Sequence, residues 1–313
     1  MRKAKHVIDQ TSLFEDMGPK PGEMIISPRR RHRAEGAFDA ILKRHQAEQD
    51  VGFASRPFVL CNLPVRKPKN TIYIRTNGKF ELRIECSKDK VLPYGQDRLL
   101  LIYMATLAVQ QKSRHINLGS AMEILKVFGK EGCGKDYQRL MGGFERIFSA
   151  TITWKVEGRE RGAKFVDKAR MLVLDRLRLW YEDDIENTGG QAHENEVTLS
   201  EQFFDEVIEH PIPVDMTVVR SLKDSPSDLD FYLWVSWRAW TITPGSIASI
   251  PLFGRFGIQS QLGSEIRSER KFRQCIKKWI KNTHHYWQEA PVSLSEDGTE
   301  LILSHGKAIP QIL

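Results

Sequence analysis

The chain has 313 residues and a net charge of +7, with 47 Lys and Arg against 40 Asp and Glu. Hydrophobic residues at 41% and aromatic residues at 9% exclude a disordered chain and allow two domains with cores of their own. No apolar run approaches the roughly 20 residues needed to cross a bilayer, and the opening MRKAKHVIDQTSLF lacks the apolar core of a signal peptide. Cys61, Cys86, Cys133 and Cys275 show neither paired nor zinc-ligand spacing, so a cytoplasmic protein with free thiols is expected.

Residues 1–55 read as a polar arm with a basic cluster, Pro28 to Arg33, and a short helix, AEGAFDAILKRH. From Arg56 the texture becomes β-rich: PFVLCNLP, then TIYIRTNGKFELRIEC, with Asn77-Gly78 as the strongest hairpin signal. Pro93-Tyr94-Gly95 precedes an apolar helix, Gln96 to Lys112, followed by an extended piece, Arg114 to Leu118, and a helix, Ser120 to Phe128. After a glycine-rich turn a third helix, Lys135 to Ala150, puts Tyr137, Leu140, Met141, Phe144, Ile147 and Phe148 on one side. Lys135, Gln138, Arg139, Gly142 and Arg146 share the other. Gly142 and Gly143 weaken a helix interior, which makes sense if something large approaches there or the helix bends. Strands are expected over Thr151 to Val156 and Arg170 to Trp180, around the charged turn EGRERGAK. Helix, short strand, helix, basic helix and hairpin is the order of a winged helix.

Asp183 to Glu196, acidic and without periodicity, reads as a linker loop. Beyond it come a helix EQFFDEVIEH, capped by Ser200 or by a Thr198/Glu201 box, another helix over VDMTVVRSL, and a long apolar one from Asp228 to Trp240. A short helix around Ala248 to Phe256 follows. Ser268 then opens SERKFRQCIKKWIKNT, with Phe272, Cys275, Ile276, Trp279, Ile280 and Thr283 facing a core and Arg270, Arg273, Gln274, Lys277 and Lys281 facing away. A closing hairpin joins Pro291 to Ser295 with Glu300 to Ser304. The second half thus repeats the first, and each half carries a basic stripe suited to phosphates and base edges. The expected fold is α+β: a polar arm (1–55), a first winged-helix domain with a β-rich lead-in (56–182), a linker (183–196) and a second winged-helix domain (197–313).

No catalytic, cofactor or metal site is expected. Gly129 to Asp136 approaches a phosphate-binding loop, but Asp136 replaces the required hydroxyl and a helix stands where a strand is needed. His284-His285 cannot both project from one strand face toward a metal. Trp234, Trp237, Trp240, Trp279 and Trp287 read as core residues.

FVLCNLPVRKP, NGKFELRI, LPYGQDRLLLIYMATLAV, FERIFSATITW, VTLSEQFFDEVIEHPIPVDMTVVRSLKDSPSDLDFYLWVSWRAW and IPLFGRFG together resemble the plasmid-encoded RepA-type replication initiators, over about Phe58 to Ser304. The resemblance implies a non-enzymatic initiator that binds direct repeats (iterons) in double-stranded DNA at a plasmid origin. It also implies opening of adjacent DNA, recruitment of a host initiator and helicase, and a homodimer formed through the first domain. The recognition role is carried to Lys135, Gln138, Arg139 and Arg146, and to Arg270, Arg273, Gln274, Lys277 and Lys281, on helical geometry. A winged-helix transcriptional repressor is the alternative.

Overall fold

The computed structural model describes residues 50–130, 132–160, 163–180 and 194–309; most of the expected arm, with its arginine cluster, lies outside them. From Asp50 the chain forms β1 (Val51–Ser55), α1 (Arg56–Leu60), β2 (Ile72–Asn77), β3 (Phe80–Glu85), α2 (Asp97–Gln111), β4 (His115–Gly119), α3 (Ala121–Val127) and α4 (Gly134–Phe148). Then come β5 (Thr151–Glu160), β6 (Ala163–Leu172), β7 (Leu174–Arg178), β8 (Asn195–Leu199), α5 (Glu201–Glu209), β9 (Pro211–Asp215) and α6 (Met216–Ser221). The chain closes with α7 (Pro226–Thr241), β10 (Ile247–Pro251), α8 (Ile258–Gln261), α9 (Glu269–Tyr286), β11 (Val292–Leu294) and β12 (Glu300–Ser304).

Helix α2 is buried on most sides, from Leu99 through Ala105, so it carries no amphipathic stripe. It ends where Lys112 turns left-handed at φ 49°. Helix α7 is its counterpart, with Phe231 to Ser236 all buried. Helix α3 starts on a complete capping box between Ser120 and Glu123, which satisfies free backbone N–H groups in both directions.

Two units share one topology. In the first, α2, β4, α3, α4, β7 and β8 follow in order, and the sheet runs β4-β8-β7. In the second, α7, β10, α8, α9, β11 and β12 follow likewise, and the sheet runs β10-β12-β11. Each unit is led by a strand and a short helix, β1 with α1 and β9 with α6. These lead strands pair antiparallel, Val51 with Asp215, Phe53 with Pro213 and Ser55 with Pro211, so a local two-fold relation passes through Phe53 and Pro213. A four-stranded sheet, β2-β3-β5-β6, is inserted beside the first unit. Leu82, Ile84, Ile152, Trp154 and Met171 form its buried face, with Phe80 stacked on Trp154 at 5.4 Å and 8°.

The units are clamped as well as paired. Arg98 of α2 meets Asp230 of α7 in an ion pair whose side chains are 4% and 6% exposed, with Nε 2.8 Å from Oδ1. Burial raises the Asp230 carboxyl to about 6 against the opposing pull of Arg98. Lys130 reaches Asp224 at 3.0 Å and the Arg75 guanidinium donates to the Ser260 carbonyl, while Arg56 grips Glu206 of the intervening α5 with two bonds of 2.8 Å.

Several expectations are corrected or settled. PFVL is helical rather than extended, because Pro57 sits in the first turn of α1, where a missing N–H costs nothing. Residues 248–251 form β10, paired with β12, and the short helix comes later as α8. The hairpin expected as a wing over Thr151–Val156 and Arg170–Trp180 is two different things. β5 and β6 extend through EGRE and add to β3, while the pair that closes on β4 is β7–β8. Of residues 183–196, expected as a linker, 183–193 lie outside the described residues, and Asn195 and Glu196 belong to β8, which pairs antiparallel with β7. Ser200 rather than Thr198 caps α5, since Thr198 lies within β8.

Candidate nucleic-acid interface

Helix α9 is held by its apolar side: Phe272, Ile276, Trp279 and Thr283 are buried, and Phe272 meets Trp279 edge-on at 6.0 Å. The Ser268 hydroxyl accepts from the Lys271 N–H and Glu269 sits in the first turn, so the helix starts where the sequence suggested. Arg270, Gln274, Lys277 and Lys281 are all exposed, at successive turns of one face about 16 Å long by helix rise. Arg273 is set apart from them. It is half-buried, its guanidinium carbon lies 5.0 Å from the centre of the Phe253 ring, and Glu269 stands 3.6 Å away. Lys271 and Lys278 widen the cationic face, a spread that the helical angle already allows. Lys278 is drawn to one edge, 3.3 Å from the buried Asp228.

On α4, Leu140, Met141, Phe144 and Ile147 are buried, while Lys135, Gln138 and Arg139 are exposed. The Arg139 side chain is 68% exposed and only 3.9 Å from Asp136. Arg146 is different, and its expected place on the open stripe is corrected. Nε and Nη2 each donate to the Asp97 carboxylate at 2.7 Å, and the guanidinium lies 4.9 Å from the Tyr94 ring. Burial works against the charged guanidinium, and the hydrogen bonds and charge of Asp97 more than reverse that, leaving it strongly cationic. Arg146 thus ties α4 to the start of α2. The close approach at the glycines is made by α2 itself, since a Cβ on Gly143 would stand 2.7 Å from Leu100 Cδ1 and 3.0 Å from Asp97 Oδ1.

What remains on both helices is a solvent-facing set of cations and amides on a rigid apolar base. Such a face can neutralise phosphates and offer paired hydrogen bonds to base edges. The Gly129–Asp136 turn follows helix α3, and its Lys130 is taken by Asp224. The His284 ring nitrogens face the carbonyls of Gln288 and Val292, so this side chain fastens the end of α9 to β11. No group of three or more His, Cys, Asp or Glu among the described residues is placed to hold a metal, and no described helix is long and apolar enough to span a membrane.

Residues 92–247, from the turn before α2 to the first residue of β10, match the family model described as plasmid-encoded RepA protein. The chain belongs to the RepA family. The RepA match spans about half the chain and contains α4 but not α9. Two solved structures of domains 2 and 3 of RctB share the RepA chain's mixed helix-and-strand fold at 14% identity. One, of a selenomethionine derivative, has a TM-score of 0.52 and covers 79% of this chain and 95% of its own. The other has a TM-score of 0.50 and covers 80% and 96%. Comparison with the curated proteins gives no match. RepA membership makes this a replicon initiator of plasmid type.

Proposed function

We propose that this RepA chain binds direct repeats at its plasmid's origin through two winged helices, without catalysis or a cofactor of its own. In this reading the first winged helix runs from α2 to β8 and the second from α7 to β12, with β7–β8 and β11–β12 as the wings. Lys135, Gln138 and Arg139 of α4, and Arg270, Gln274, Lys277 and Lys281 of α9, face the double-stranded DNA, with Arg273 supporting from beneath. Bound copies then promote opening of the origin and recruit the host initiator and helicase, and a homodimer through the first unit is the resting partner state. One observation carries the reading: the same helix order and sheet order occur twice, and in each copy the third helix carries exposed Lys, Arg and Gln over a buried apolar side.

The test is binding of purified protein to its own origin fragment against a shuffled duplex, titrated across salt. A preference of about 10³ or more with protection over direct repeats is expected. A preference near unity with a steep salt dependence means backbone contact alone and refutes origin-specific recognition.

A further inference from the structure

A cleft lies on the seam between the units, beside the turn whose Phe253 ring supports Arg273 of α9. The turn Phe253–Gly257 between β10 and α8 is built to hold two side chains outward. Gly254 has φ 93°, a region that favours glycine, and a Cβ on Gly257 would stand 2.4 Å from the Phe253 carbonyl oxygen. The Gly257 N–H donates to the Gly254 carbonyl at 3.1 Å, and the Gln261 amide donates to the Phe256 carbonyl at 2.8 Å. Phe253 points inward, packed on Phe272 at 5.7 Å. Arg255 and Phe256 point out, and Phe256 is 63% exposed, which is a large cost in exposed aromatic surface for a turn made this rigid.

Opposite stands the tip of the β2–β3 hairpin. Asn77 donates to the Leu60 carbonyl at 2.8 Å and Gly78 turns the chain at φ 59°, which fixes Lys79 at the rim. Between the two turns is a cleft of about 220 Å³, lined by Lys79, Phe80, Trp237, Arg255, Phe256 and Gln261. Three aromatic rings, two cations and an amide meet there, and no carboxylate lines it. The cavities of 420, 530 and 260 Å³ elsewhere on the chain each include Asp or Glu, while one of about 360 Å³ beside Phe53, Arg56 and Trp240 shares the lack of a carboxylate but has a mostly aliphatic and proline-rich wall, with Pro211, Ile212, Pro213, Ala308 and Ile309. Phe80 is itself stacked on Trp154, which backs one wall with a second ring. The cleft is too narrow for a duplex. The Arg255 guanidinium lies 5.4 Å from the Phe256 ring centre and Lys79 Nζ 5.2 Å from that of Phe80, so each cation is held beside a ring. The cleft suits one planar base stacked on the exposed Phe256 ring, with the flanking phosphates drawn to these two cations.

We propose that this cleft binds an unpaired base of single-stranded DNA. The inference goes beyond duplex recognition and takes from it only the choice of DNA as the polymer. The measurement is fluorescence anisotropy of a labelled single-stranded oligo-dT with the full chain, beside binding of the origin duplex. Phe256→Ala should weaken oligo-dT binding by about tenfold or more. It should leave both the thermal midpoint and duplex affinity unchanged, since the ring is mostly in solvent. Phe256→Trp should keep the affinity and add a tryptophan emission that the bound strand quenches. Lys79→Ala and Arg255→Ala should each lower the slope of log affinity on log salt by about 0.7. Wild-type affinity in Phe256→Ala, or no oligo-dT binding by the wild-type chain, overturns the proposal. Loss of duplex specificity with Phe256-dependent oligo-dT binding intact would overturn the origin reading and leave this one standing.

Discussion

Arg146 gives the sharpest test of what the basic side of α4 does. Its guanidinium makes two bonds of 2.7 Å to a carboxylate whose side chain is 5% exposed, while its own is 21% exposed. Arg146→Ala leaves the Asp97 charge almost buried with two of its three hydrogen bonds gone. Breaking a buried pair costs about 3–5 kcal/mol. Asp97 keeps the Tyr94 N–H at 2.9 Å and sits in the first turn of α2, where the helix dipole favours an anion, so the cost falls to or just below the bottom of that range, about 2–3 kcal/mol. Arg139, with its side chain 68% exposed and 3.9 Å from its partner, should cost less than about 0.5 kcal/mol when truncated. Urea unfolding followed by tryptophan fluorescence separates the two. Duplex affinity, measured well below the unfolding transition, should fall for Arg139→Ala and stay near wild type for Arg146→Ala. An Arg146→Ala midpoint equal to that of Arg139→Ala would refute the structural assignment.

Further outcomes are expected. Gly142→Ala and Gly143→Ala gain the same helix propensity, but a Cβ on Gly142 meets only the far end of the Arg146 side chain, at 3.0 Å, while one on Gly143 meets Leu100 Cδ1 at 2.7 Å and Asp97 Oδ1 at 3.0 Å; Gly143→Ala should be the less stable by about 1–3 kcal/mol, and equal urea midpoints would deny the close approach of α2. Arg98→Met alone should lose about 3–5 kcal/mol, while Arg98→Met with Asp230→Leu should recover most of it in the same assay, because the desolvation of both charges is then removed; a double variant no better than the single rejects this account. Lys277→Ala should lower the salt slope of duplex binding by about 0.9 without changing the thermal midpoint, and an unchanged slope removes that side chain from the interface. Burial pushes the Cys61 thiol up to about 12, so at pH 8 it should resist alkylation in the native chain while exposed Cys133 reacts, as mass mapping of the labelled peptides can establish.

Local periodicity made much of this legible. The third helix of each unit could be read because one buried side recurs every three or four residues, and Ser268 marks its start by chemistry that acts within one turn. Asn77-Gly78 announced its hairpin for the same reason: the turn needs left-handed backbone and glycine supplies it. Pairing between distant strands was another matter. The pattern around EGRERGAK shows two strands and a turn, but not that β5 will take β3 as neighbour while β8 closes on β4 from across the chain. Arg146 fails for a related reason. A helical wheel gives its angle, 20° from Lys135 at about 100° per residue, and is blind to the Asp97 carboxylate that the fold brings beneath it. Phe256 sits in a turn with no period at all, and only the two glycines around it hint that the backbone there is constrained.

The long-range polar contacts also set a timetable. Arg56 finds Glu206 across 150 residues, Arg98 finds Asp230 across 132, and Asn62 finds the Leu262 carbonyl across 200. At about 5–20 residues per second of synthesis, a separation of 150 residues is roughly 7–30 s of waiting. During that interval β1 has been made and β9 has not, so an unpaired strand edge and the guanidinium of Arg98 face the cell without their partners. β1 is short, with only five residues and a glycine among them, which limits what a foreign strand can gain by pairing with it. Newly made chains should therefore pass through a half-folded species whose lifetime is set by the ribosome rather than by the folding barrier.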